Sequence, residues 1–133
     1  MADLRLASYN IKSGQHVANG LDALAATLRA LDPDVVSVQE VDRGTQRSNG
    51  TDQTAELAER LGFEHHTFAA ATAWPGGGEY GIALISRHPL EDIVATPVWV
   101  PQDANVHESF REPRTLVSAT VRLADGAIRI FGT

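Results

Sequence analysis

Six side chains combine useful chemistry with informative positions: Asn10, Glu40, Glu79, Tyr80, Arg111 and Arg114. Glu40 follows the nearly continuous apolar run Val35–Gln39 (VVSVQ). A carboxylate at the C-terminal end of a central strand lies where α/β sheets place their ligands. Hard divalent cations such as Mg²⁺ take oxygen donors, usually one or two carboxylates completed by water and phosphate oxygens. On the Gln39-Glu40 dipeptide alone, a solvated strand end is the commoner outcome. Asn10 closes an alternating run, Leu4–Tyr9. Its amide can donate to a phosphate oxygen and accept from a metal-bound water, although asparagine more often serves a turn. Arg111 and Arg114 flank Glu112-Pro113. A guanidinium is always charged and donates in a plane, which suits a phosphodiester; otherwise each is a surface ion pair worth at most ~1 kcal/mol. Glu79 and Tyr80 follow Gly76–Gly78, a loop that lets backbone approach a substrate, or a plain hairpin loop.

The elements that must position these groups follow from periodicity. Leu4–Tyr9 reads as a first strand and Asn10–Gly20 as a loop. Leu21, Leu24, Ala25, Leu28 and Leu31 recur at helical spacing, with Asn19 as N-cap and Asp32-Pro33 as the stop. Val35–Gln39 is a strand covered on both faces, and Val41–Thr51 a polar loop. Asp52–Leu61 is a second amphipathic helix with Ala55, Ala58 and Leu61 inward and Gly62 after its end. Strands are then expected over Glu64–Ala71, Tyr80–Ser86 and Ile93–Val100, with Trp74–Glu79 a glycine-rich loop and Pro101–Pro113 a polar one. Thr115–Leu123 and Ala127–Phe131 form a hairpin around Ala124-Asp125-Gly126. Strand, helix, strand, helix, then strands, predicts α/β layering.

Composition narrows the function. The 133 residues fit one domain or part of one, with 43% hydrophobic and 21% charged residues. No cysteine is present, which excludes thiolate metal sites. The five histidines, His16, His65, His66, His88 and His107, show no metal-ligand spacing. His65 and His66 are adjacent in an expected strand and face opposite sides. There is no G-x-S-x-G nucleophile elbow. The net charge of −6 disfavours a non-specific nucleic-acid binder held by a basic patch, but a bound divalent cation supplies positive charge of its own. Met1-Ala2-Asp3-Leu4-Arg5 has no basic segment before an apolar one, and no apolar run approaches the ~20 residues of a membrane helix, so a cytoplasmic location is expected.

Five stretches, in order, resemble the endonuclease/exonuclease/phosphatase superfamily of deoxyribonuclease-I-like proteins. They are Ala7–Ile11 (ASYNI), Val38–Val41 (VQEV), Gly78–Gly81 (GEYG) through Ser86–Pro89 (SRHP), Arg111–Arg114 (REPR) and Phe131–Thr133 (FGT). The resemblance implies half of a four-layer α/β/β/α sandwich, with a mixed, mostly antiparallel sheet and two helices on one face. It implies that Glu40 binds Mg²⁺ or Mn²⁺, with Asn10 at the same metal and phosphate site. It also implies that Arg114 or Arg111 holds phosphate, that Tyr80 touches it, and that Glu79 orients a histidine. Ile82 stands where many relatives carry asparagine. Residues 1–133 match the N-terminal half of the family's domain, and the later Asp-x-Asn motif, a further aspartate and a terminal histidine are not among them. The expected function is therefore metal-dependent hydrolysis of a phosphodiester or phosphomonoester, incomplete in this chain because the general base is missing. Substrate class stays open, nucleic acid included. The alternative is a non-catalytic half-domain acting as a dimerising or binding module. One sheet face is expected to be left apolar and to be buried in a homodimer.

Overall fold

The computed structural model describes residues 3–103, 105–108 and 111–133. The strands are β1 (Leu6–Asn10), β2 (Val35–Arg43), β3 (His65–Ala73), β4 (Glu79–Ser86), β5 (Leu90–Val98), β6 (Arg114–Leu123) and β7 (Gly126–Gly132). The helices are α1 (Gly20–Leu31) and α2 (Gln53–Leu61). The first sheet has the order β1-β2-β4-β3, with β1 and β2 parallel and the other pairs antiparallel; the second, β5-β6-β7, is antiparallel throughout. Parallel neighbours need a crossover, and α1 supplies it between β1 and β2. The loop expected over Pro101–Pro113 includes residues 104, 109 and 110, which lie outside the described residues.

Both helices cover one face of the first sheet. Leu24, Ala25 and Leu28 of α1 and Leu57 and Ala58 of α2 share a core with Val36, Val38, Val41, Ala83 and Ile85. Leu31 was expected inward but is 61% exposed at the end of α1 and lies outside that core. Asn19 precedes α1 as expected, yet its φ of 65° is left-handed and its side chain makes no cap bond. A capping side chain needs an extended backbone to aim it at the first turn. Asp52 has that geometry before α2, and its carboxylate accepts from the Ala55 N–H. The buried positions of α2 are Gln53, Thr54, Leu57 and Ala58, so its inward face is half polar; Ala58 lies in the core and Leu61 packs half-buried against it, as expected, whereas Ala55 is not part of it.

The other face is not bare. The chain's own second sheet packs against it, with Val117 and Ala119 of β6 joining Ala69, Ile82 and Leu84 in a second core. The fold is thus an α/β/β arrangement, as expected for half of the four-layer sandwich, and the expectation of an uncovered sheet face is corrected. The outer edge of β7 pairs with no strand among the described residues. Among those residues no helix is long and apolar enough to cross a membrane.

Candidate active site

The main departure from periodicity lies at Glu40. β2 does not stop at Gln39 but runs on to Arg43, and its pairing with β4 shifts register between Val38 and Val41. Glu40 sits in that bulge, inside the strand rather than at its end. Its φ is +57°, a left-handed conformation that costs a side-chain-bearing residue roughly 1–2 kcal/mol. Asn10 lies beside it, because β1 pairs in parallel register with Asn10 opposite Gln39. The Asn10 Nδ2 donates to Glu40 Oε1 at 2.8 Å, and Asn10 Oδ1 accepts the Lys12 N–H at 3.0 Å. A backbone N–H can only donate, so the amide orientation is fixed by this pair.

Beneath Glu40 lies a polar network in the stretch expected to be a loop. Asp42 is fully buried. It accepts from Arg47 Nε and Nη2, each at 2.7 Å, from Thr45 Oγ1 at 2.7 Å and from Ser13 Oγ at 3.0 Å. Burial alone would push the Asp42 carboxyl up; the hydrogen bonds from Arg47, Thr45 and Ser13 outweigh it and hold the group below its ordinary range. Gln53, at the start of α2, accepts from the Asp42 N–H at 2.9 Å and donates to the Ser13 carbonyl at 2.8 Å. The Arg47 guanidinium lies 3.5 Å over the Trp74 ring, whose centroid is 5.6 Å from that of Tyr80. The loop carrying Trp74 is pinned in turn. Gly78, at φ +81°, crosses Gly44 so closely that a Cβ would sit 2.5 Å from the Gly44 carbonyl carbon.

Glu40 and Tyr80 line both of two depressions. The inner one, of about 90 Å³, is lined by Asn10, Gln39, Glu40, Tyr80, Ile82 and Arg114, among others. The outer one, of about 380 Å³, is lined by Lys12, His16, Glu40, Arg47, Trp74, Tyr80 and Glu112, among others. Arg114 pairs with Glu112 at 2.7 Å. Tyr80 is driven above its ordinary range first by burial, then by the Glu40 and Glu112 charges, so it stays a neutral hydroxyl donor. Four of the six expected residues therefore meet: Asn10, Glu40, Tyr80 and Arg114. Arg111 does not line either depression, and its Nε is buried with no hydrogen-bond partner among the described residues. Glu79 points to Arg43 instead, accepting from its Nε at 2.9 Å. Ile82 gives the inner depression an alkyl wall.

The donors suit a hard cation that keeps most of its water. Among the described residues no three carboxylates or imidazoles gather at one point. Glu40 offers carboxylate oxygen, whereas the Asn10 oxygen is already engaged by Lys12. One carboxylate plus water and phosphate oxygens is an ordinary Mg²⁺ environment. Asn10 then orients Glu40 through its NH₂ group.

Three solved structures illustrate the relationship. An endonuclease/exonuclease/phosphatase from Beutenbergia cavernae is 28% identical, with a TM-score of 0.76 over 97% of this chain and 37% of that one. An AP endonuclease from Archaeoglobus fulgidus is 21% identical, with a TM-score of 0.52 over 90% of this chain and 37% of its own. ANGEL2, a 2′,3′-cyclic phosphatase, is 15% identical, with a TM-score of 0.61 over 96% and 39%. This chain therefore spans less than two fifths of the length of each. Comparison with curated proteins gives no match. The sequence profile of the Endonuclease/Exonuclease/phosphatase family matches residues 7–125, and on that match this chain belongs to the family.

Proposed function

We propose that this chain carries the cation- and phosphate-holding part of a metal-dependent phosphoric ester hydrolase and is catalytically incomplete alone. The observation that carries the reading is the Asn10–Glu40 hydrogen bond beside the left-handed bulge, with Arg114 lining the same depression. Backbone strain held by surrounding structure concentrates at functional sites. Glu40 would hold the cation, kept in orientation by the Asn10 NH₂. A bound Mg²⁺ or Mn²⁺ supplies charge neutralisation and polarisation of a phosphate. Arg114 receives phosphate oxygens in its donor plane, and the neutral Tyr80 hydroxyl donates to another. The residues lining the inner depression include no histidine or aspartate, so this lining supplies no base for the attacking water. The fold neighbours are an AP endonuclease and a 2′,3′-cyclic phosphatase, which is consistent with phosphodiester or phosphomonoester substrates. The acidic balance favours a small ester over long nucleic acid.

The test is Mn²⁺ titration and hydrolysis of a chromogenic phosphodiester and phosphomonoester, on this chain and on Glu40→Gln. Cation binding lost in the variant, with hydrolysis at background in both, is the expected result. Equal Mn²⁺ binding by both proteins would overturn the metal reading. Hydrolysis abolished by Glu40→Gln would overturn the incompleteness.

A second reading, a dimerising module, is favoured by the open edge of β7. Leu6 is 58% and Phe131 63% exposed, and they flank an apolar groove of about 350 Å³ between β1 and β7. Antiparallel pairing of two β7 edges would be self-complementary about a twofold axis. A light-scattering mass of one chain at micromolar concentration would refute it.

A further inference from the structure

Two left-handed segments meet at one hydroxyl. Lys12, Ser13 and Gly14 have φ values of 46°, 52° and 67°, and Glu40 has 57°. A run of three such residues, two of them bearing side chains, is costly and persists only where its surroundings over-determine it. The buried Ser13 Oγ lies 3.2 Å from the Glu40 carbonyl oxygen and 3.0 Å from Asp42 Oδ1, and its single proton serves one of them at a time. Arg47 Nη2 donates to the same oxygen at 2.8 Å, and the Gln53 amide holds the Ser13 carbonyl from the other side. Ser13 is thus fixed from both sides by buried or half-buried groups, and it touches the backbone of the residue whose side chain faces the site.

We infer that Ser13 is a positioning residue. Clamped by Asp42, Arg47 and Gln53, it holds the Glu40 backbone in the left-handed bulge and so aims the carboxylate at Asn10 and the cation. This rests on the reading of Glu40 as a cation ligand. Groups behind a ligand that fix its orientation typically govern affinity by about 10- to 100-fold when removed. The peptide at Glu40 otherwise has every reason to relax into the extended strand on either side of it.

Two-dimensional ¹⁵N–¹H NMR of the 133-residue chain tests the inference, with the Glu40 backbone shifts and Mn²⁺-induced broadening as readouts. Ser13→Ala removes the hydroxyl. Ser13→Gly removes it while accepting the left-handed φ, so it keeps the test alive should the alanine variant fold poorly. The expected result is Glu40 shifts leaving the left-handed range in the metal-free protein, and about 10-fold more Mn²⁺ needed to broaden Asn10 and Glu40. Unchanged Glu40 shifts in the folded variants, or Mn²⁺ affinity within about twofold of the parent, would overturn it. Glu40→Gln separates the two ideas. If that variant binds Mn²⁺ like the parent, the ligand reading fails, and the Glu40 shifts alone decide whether Ser13 sets the bulge.

Discussion

Replacing Arg47 by methionine removes the only cation hydrogen-bonded to Asp42 among the described residues while keeping much of its volume. Breaking a buried ion pair from one side typically costs about 3–5 kcal/mol. Arg47 is 29% exposed and Asp42 fully buried, and Thr45 and Ser13 still donate in the variant. Those facts place the cost at the lower end, about 3 kcal/mol, including the lost stacking on Trp74. For a chain of this size that is roughly 10 °C in melting temperature. The pH dependence has a definite sign. In the parent, Asp42 is held below its unfolded value, so its contribution is present above that value and lost as pH falls through the folded one. Without Arg47, burial is opposed only by the Thr45 and Ser13 hydrogen bonds, and the folded Asp42 carboxyl moves up from its value in the parent. The variant's penalty is then full at pH 7 and shrinks as pH falls and Asp42 takes up a proton. Urea unfolding followed by circular dichroism at pH 7 and at a mildly acidic pH measures this, and avoids Trp74 fluorescence, which the substitution itself alters. Asp42→Asn combined with Arg47→Met should recover stability relative to Arg47→Met alone. A penalty below about 1 kcal/mol, or one equal at both pH values, would refute the claim that Asp42 is a buried charge dependent on Arg47.

Glu40→Gly should raise the unfolding free energy by up to about 1 kcal/mol while abolishing Mn²⁺ binding, since glycine accepts φ +57° without strain; a urea midpoint well below the parent's would count against the bulge being strained. Arg114→Ala should weaken binding of inorganic phosphate in the presence of Mg²⁺ by about 10-fold, the value of one charged hydrogen bond, while Arg111→Ala stays within about twofold. Equal losses in an NMR titration would show that both arginines reach the site. Gly81→Ala should destabilise by about 3 kcal/mol, because its Cβ would lie 2.0 Å from the Ala69 carbonyl oxygen and force β3 off β4. A melting temperature within a few degrees of the parent's would show that the strands yield more easily than this contact implies.

The elements were legible where hydrophobic spacing alone decides them. Val35–Gln39 and Tyr80–Ser86 sit inside β2 and β4, and the Ala124–Gly126 turn joins β6 to β7. What escaped was polar and non-local. Val41–Thr51 reads as solvated loop because Asp42, Thr45, Arg47 and Ser48 are hydrophilic, yet Asp42, Thr45 and Ser48 are buried by satisfying one another. Gln53 on the inward face of α2 is explained only by Ser13 and Asp42, forty and eleven residues away in sequence. The bulge at Glu40 leaves no periodic trace, since a glutamate at positive φ is a cost imposed from outside the residue. Among the site residues, Asn10 and Glu40 were found because their strands were found. Arg111 and Arg114 differ only in where the polypeptide emerges from its loop, which the two-residue spacing between them cannot reveal.

The crossing of Gly44 and Gly78 changes what can be engineered into this chain. Surface loops commonly accept inserted segments, because their ends stay close and few contacts depend on their length. The Trp74–Glu79 loop is glycine-rich and looks permissive, yet it is threaded against another loop at backbone contact and stacked on Arg47. A peptide tag placed there would unseat Trp74 and pry β4 from the turn after β2. The Ala124–Gly126 turn has open space around its glycine and lies on the second sheet, and it is where an affinity epitope or fluorophore site belongs.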